Sequence, residues 1–266
     1  MTPLGVAHLT ALELSPPVFV REAAKAGFAS VGLRVAPAAP GAVEYPLKKG
    51  TQAQQELRRI LQGEGIRLYD VEFFPLTPGV DVSGYAGLLE AAADLGAVSV
   101  NVSGDDPDFL RLTQTFAAMC ELAGVFGMRV DLEFMRWRIC ANLHDAVGLV
   151  SAAGQPNGAI LLDCLHLNRS GGKSAELHDA PAGFIRVAQL CDASPRMPAT
   201  EAEVIAEARE GRLPPGMGSL PLIELVQALP SNTAFTVEVP IPAMDAPSRL
   251  ALNYKAAREV LLRAGR

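Results

Sequence analysis

A chain of 266 residues, 49% hydrophobic and 20% charged, has the make-up of a folded globular protein, and its length suits one barrel of about 250 residues better than two ordinary domains. A formal net charge of −6 with no basic stripe argues against a nucleic-acid footprint, and no apolar run approaches the roughly 18 residues that a membrane span requires. Cys120, Cys140, Cys164 and Cys191 show no CxxC spacing, so reduced and buried thiols are expected rather than a zinc knuckle or a disulfide scaffold. No basic stretch followed by an apolar one opens the sequence, which leads to the expectation of a cytoplasmic protein.

In chain order, short β-rich runs alternate with longer helical patterns, the rhythm of parallel strands joined by helices. Strands are expected at 5–8, 30–35, 66–72, 99–102, 129–133, 159–163, 186–190 and 234–239, mostly as continuous apolar runs suited to strands buried on both faces. Ser15 before Pro16 reads as a helix start and Gly27 as its stop. Further helices are expected near 52–62, 85–95, 107–126, 143–153 and 247–264. Two longer connections, 36–50 and 192–221, each follow a strand, and the second includes a short helix over 200–210. Eight strand–helix units over residues 1–266 predict a single-domain (β/α)8 TIM barrel, an α/β fold.

The late strands end in polar residues that a buried strand otherwise avoids: Asp131-Leu132-Glu133, Leu162-Asp163-Cys164-Leu165-His166, Gln189-Leu190-Cys191-Asp192 and Val237-Glu238-Val239. In a parallel barrel those ends converge on one mouth, so Glu133, Asp163, Gln189 and Glu238 are predicted to meet. Three facing carboxylates repel one another, and a divalent cation is the simplest remedy. Oxygen donors favour Mg²⁺ or Mn²⁺, with Co²⁺ or Zn²⁺ as alternatives. Taken singly, each acid reads as a rim ion pair with Arg34, Arg136 or Arg138; four polar residues in register shift the reading to a site. His166, Arg212, His8 and Glu72 are candidate substrate contacts, while Phe134 and Trp137 are either core or a wall over the substrate.

These runs, with Arg212 and Pro215-Gly216-Met217-Gly218, resemble the xylose isomerase-like TIM-barrel superfamily of sugar phosphate isomerases and epimerases, most closely from Asp131 onward. The resemblance implies one divalent metal held by Glu133, Asp163 and Glu238, with His166 touching substrate and the two glutamates as the acid/base pair. Gln189 stands where many members place a histidine. The implied activity is metal-dependent isomerisation or epimerisation of a small polyhydroxy substrate by proton transfer next to a carbonyl, through a metal-stabilised enediolate. A lyase or dehydratase acting on an inosose-like ring or a hydroxy acid is the alternative, and Gln189 leaves room for a non-catalytic sugar-binding barrel. No nucleic-acid or membrane partner is expected, and a homo-oligomer is compatible with the sequence.

Overall fold

The computed structural model describes residues 2–266. Its strands are β1 (Leu4–Val6), β2 (Ser30–Arg34), β3 (Arg67–Leu76), β4 (Ser99–Gly104), β5 (Arg129–Glu133), β6 (Gly158–Asp163), β7 (Ile185–Leu190) and β8 (Ala234–Val237). They pair in parallel in chain order, and β1 pairs back onto β8, so the sheet closes and no edge is left unpaired. Helices cover the outside: α1 (Pro16–Ala26), α2 (Gln52–Glu64), α3 (Ala86–Asp94), α4 (Phe109–Val125), α5 (Leu143–Ala153), α6 (Cys164–Arg169), α7 (Glu201–Glu210), α8 (Leu222–Ala228) and α9 (Ala246–Arg263). With helices outside and side chains filling the bore, β2 and β4 are buried at every residue.

Local chemistry sets the element ends. Ser15 and Pro16 open α1, and Gly27 closes it at φ 104°, a left-handed conformation that a residue with a Cβ resists. α4 starts later than expected because Asp108 accepts the Arg111 N–H at 3.0 Å and so becomes the cap. The first strand ends at Val6, and His8 belongs to a 3-10 turn, His8–Ala11. β8 ends at Val237, which leaves Glu238 just beyond the sheet. α6 and α8, of six and seven residues, were not expected, being too short to show a helical period. α6 forms because Asp163 caps it, accepting the Leu165 and His166 N–H groups at 2.7 and 3.0 Å. Phe74 on β3 and Phe116 on α4 are fully buried, each contributing about 1.5–3 kcal/mol by removal from water.

The long connection after β7 is fastened by Asp192. Its backbone exchanges two 2.8 Å hydrogen bonds with Leu213, and its carboxylate accepts from the Ala193, Gly216 and Leu220 N–H groups at 2.8, 3.0 and 2.9 Å. A Cβ at Gly218 would lie 2.4 Å from Asp192 Oδ1, so only glycine allows that approach. This fastening carries Arg212 into the barrel mouth.

Candidate active site

Glu133 ends β5, Asp163 ends β6, Gln189 lies beside Asp163 on β7, and Glu238 follows β8; all four are buried. The strand alternation that turns one into the bore turns its neighbours in as well, so the four gather at one mouth. With its amide nitrogen turned toward the acids, Gln189 donates to Glu133 Oε1 at 3.1 Å and to Asp163 Oδ2 at 3.3 Å. Asn101, mid-strand on β4, donates to Glu133 Oε2 at 3.0 Å. His166 Nε2 lies 3.6 Å from Glu133 Oε1, and its ring meets Trp137 edge-on at 5.1 Å.

Arg212 is fully buried within this group rather than a solvated loop side chain. Its Nη1 donates to Asp163 Oδ2 at 2.5 Å and to the Glu238 carbonyl at 3.2 Å, and its Nη2 pairs with Glu238 Oε2 at 3.0 Å. Its Nε donates to the Ala208 carbonyl in the last turn of α7 at 2.7 Å. Cys191 Sγ lies 3.4 Å from Arg212 Nη1.

One guanidinium serves three carboxylates, and the proton affinities follow. Burial, then the charges of Glu238 and Asp163, push the Glu133 carboxyl well above the usual range, with Asn101 and Arg212 opposing. Glu238 is raised to about 7, by burial first; Arg212 works against that rise, and Glu72 and Asp163 add to it. Burial also penalises ionised Asp163, but Arg212 and His166 outweigh it and hold this carboxyl below its ordinary value. His166 is lowered to about 4, chiefly by burial, so its ring is neutral at neutral pH and keeps a lone pair on one nitrogen.

The donor set fits a divalent cation. Glu133, Asp163 and His166 each present a ligand atom within 4.8 Å of the others. Among the described residues Glu133 has no arginine of its own, and His166 Nδ1 is buried without a partner. Carboxylate oxygens with an imidazole and an amide suit a hard or borderline ion. His166, expected as a substrate contact, thus stands among the candidate ligands, while Glu238 is turned to Arg212 and Gln189 reaches the cluster through its amide.

The remaining expectations divide. Glu72 lines the cavity, with Oε1 held by Arg34 Nε and Nη2 at 3.2 Å each. His8, expected as a substrate contact, is not among the residues that line the cavity. Its Nδ1 accepts the Arg34 N–H at 3.1 Å, its Nε2 donates to the Leu14 carbonyl at 2.9 Å, and its ring stacks between Phe19 and Tyr45. Both ring nitrogens are therefore in use. Trp137 is a cavity wall and Phe134 is core. Sequence reasoning missed Asn101, Asp192 and Cys191. Asn101 had a signal, a lone amide between two valines of a buried strand.

Over the cluster lies a cavity of about 260 Å³, just under the roughly 300–1,000 Å³ of most ligand pockets, and so sized for a compact metabolite. A closed parallel barrel with buried acids and a cation-compatible cluster beneath such a cavity defines the TIM-barrel class whose chemistry sits at the C-terminal mouth. The chain belongs to the family described as xylose isomerase-like TIM barrel, which it matches over residues 20–263.

A 3-dehydroshikimate dehydratase of Pseudomonas putida is 29% identical over 133 residues; the match takes in 49% of this chain and only 20% of that protein. Among solved structures, an IOLI protein with a binding zinc atom is similar at TM-score 0.78 and 17% identity over 99% of both chains. A D-psicose 3-epimerase in the presence of D-fructose is similar at TM-score 0.76 and 13% identity over the whole of both chains. No helix among the described residues is long and apolar enough to cross a membrane.

Proposed function

We propose that this chain is a divalent-metal-dependent isomerase or epimerase that moves a proton at a carbon next to the carbonyl of a small polyhydroxylated substrate. The reading rests on one observation: Glu133 and Glu238, from different sides of the strand ring, face the same cavity, and among the described residues Arg212 is the one arginine paired with Glu238 and Asp163. Glu133 takes the proton from carbon and Glu238 returns it. With a proton affinity near pH 7, Glu238 both gives and accepts a proton at modest cost under neutral conditions. Asn101 and Gln189 fix the Glu133 carboxylate in position, His166 meets a substrate hydroxyl or the cation, and Trp137 shields the reacting carbon from water. A bound divalent metal, held by Glu133, Asp163 and His166 with Gln189 and Glu238 beside them, would supply positive charge next to the substrate oxygens.

The test is deuterium uptake from D₂O into a panel of ketoses and aldoses, with Mn²⁺, Mg²⁺, Co²⁺ or Zn²⁺ added to chelator-treated protein. Uptake without loss of water is expected; none from any sugar with any metal would overturn the proposal. Dehydration of a cyclic hydroxy ketone or a hydroxy acid is the second reading, favoured by the likeness to the 3-dehydroshikimate dehydratase. It shares the first proton transfer and differs in that a hydroxyl then leaves, so release of water with appearance of a conjugated, ultraviolet-absorbing product separates the two.

A further inference from the structure

Three acids, Glu72, Glu133 and Glu238, line the cavity. Arg34, Arg138 and Arg209 line it elsewhere, with Arg212 at its floor. Arg34 is matched by Glu72, and Arg212 by Asp163 and Glu238. Arg138 is only partly engaged: Nη1 pairs with Asp105 Oδ2 at 3.1 Å, Nη2 reaches the Ala38 carbonyl at 3.5 Å, and its buried Nε has no partner. Arg209, exposed on the last turn of α7, pairs with no acid among the described residues. The same two side chains also line a shallower recess that shares Ala38 and Trp137 with the cavity, so they flank one opening. Phe73 lies against the wall, its ring centroid 5.9 Å from the Arg34 guanidinium carbon and 6.0 Å from that of Arg138, which restrains both side chains.

A neutral sugar has no use for an unsatisfied guanidinium N–H and a free positive charge at the entrance, whereas an anion satisfies both. We propose that the substrate carries a carboxylate, bound at the outer wall of the cavity by Arg138 and Arg209 while its hydroxylated carbonyl end reaches the acids. The substrate class is then a small polyhydroxylated carbonyl acid. This rests on the reading of the cavity as the site of proton transfer. A carboxylate fits better than a phosphate because α7 offers the cavity its C-terminal turn, Ala208 and Arg209, and not the N-terminal amides that gather phosphates in barrels.

Trp137 is the single tryptophan of the chain and lines the cavity, so its emission reports binding. The protein is titrated, with Mn²⁺ present and absent, with three probes: quinate (a cyclic polyhydroxy carboxylate), myo-inositol (its neutral counterpart) and glucose 6-phosphate. Quinate is expected to bind about tenfold or more tighter than inositol, the worth of one charge-assisted contact. Arg209→Ala and Arg138→Gln should each remove most of that preference, with melting temperature and Mn²⁺ binding unchanged. Arg209 is exposed, so its variant keeps the test valid even if Arg138→Gln folds poorly.

Equal affinity for quinate and inositol, tighter binding of glucose 6-phosphate, no saturable response to any of the three, or a preference untouched in Arg209→Ala would each overturn the proposal. A quinate preference that depends on Arg209, found in a protein that exchanges no carbon-bound hydrogen in any sugar or hydroxy acid, would leave the carboxylate site standing and remove the proton-transfer reading. Exchange confined to neutral sugars and unaffected in Arg209→Ala would do the reverse.

Discussion

Low in the bore, Asp131 has an arginine to itself: Arg129 donates to it at 2.6 and 2.7 Å and also to Tyr69 Oη at 3.1 Å. Two residues further along the same strand and on the same face, Glu133 has none among the described residues, and across the mouth Asp163 and Glu238 share Arg212. The side chains are of one kind and equally buried. What differs is the count of positive charges, and that count separates an acid that holds the barrel together from acids held ready for something to arrive.

The difference is breakable from both ends. Glu133→Gln should lower turnover by about a thousandfold, while the melting temperature of the chelated protein stays level or rises because an unbalanced acid is gone. Normal rates of deuterium uptake in that variant would remove Glu133 from the chemistry. Asp131→Asn should do the opposite, losing about 3 kcal/mol of stability in urea unfolding because Arg129 is left without its partner, with deuterium uptake little changed. A variant as stable as the parent would mean that the lower pair is not structural.

The mouth should also respond to a cation where the lower pair does not. A divalent metal at about a hundred times its dissociation constant should stabilise the protein by about 2.7 kcal/mol, and Asp163→Asn should abolish that gain. Thermal unfolding with each metal reads this out, and an unchanged midpoint with all four metals would count against the centre.

A further effect, seen only in acid, concerns His8, a buried group whose partners are complete. Burial lowers its proton affinity to about 4, from the ordinary 6.5. Between those two values the unfolded chain binds a proton that the folded chain does not, so the His8 contribution is whole above pH 6.5 and is lost as the pH falls towards 4. Each pH unit within that window takes about 1.4 kcal/mol. Imidazole resonances followed by NMR should show His8 neutral until about pH 4; titration near 6.5 would contradict the buried, doubly bonded ring.

Much of this is legible in the sequence. The barrel announced itself through eight apolar runs, because strands covered on both faces tolerate few polar residues. For the same reason Glu133, Asp163, Gln189 and Glu238 stood out at the strand ends. Side-chain direction was not legible. His8 reads in the sequence as the end of a strand, where a ligand stands, yet it lies in the turn after β1 and Phe19, Tyr45 and two backbone groups claim it. The pairing of Arg212 with Asp163, 49 residues apart, depends on how Asp192 folds the intervening loop, and no local pattern carries that. Asn101 escaped because it interrupts a strand in its middle, where an inward amide and a stray one look alike.

Arg212 joins two things that otherwise have no connection. One end of its guanidinium balances the acids, while its Nε is fastened to the last turn of α7, the same turn that carries Arg209. The outer helix and the electrical state of the mouth are thus geared together. Where binding at the entrance and binding at the floor are coupled through Arg212, reciprocity makes each change the other's affinity by the same factor.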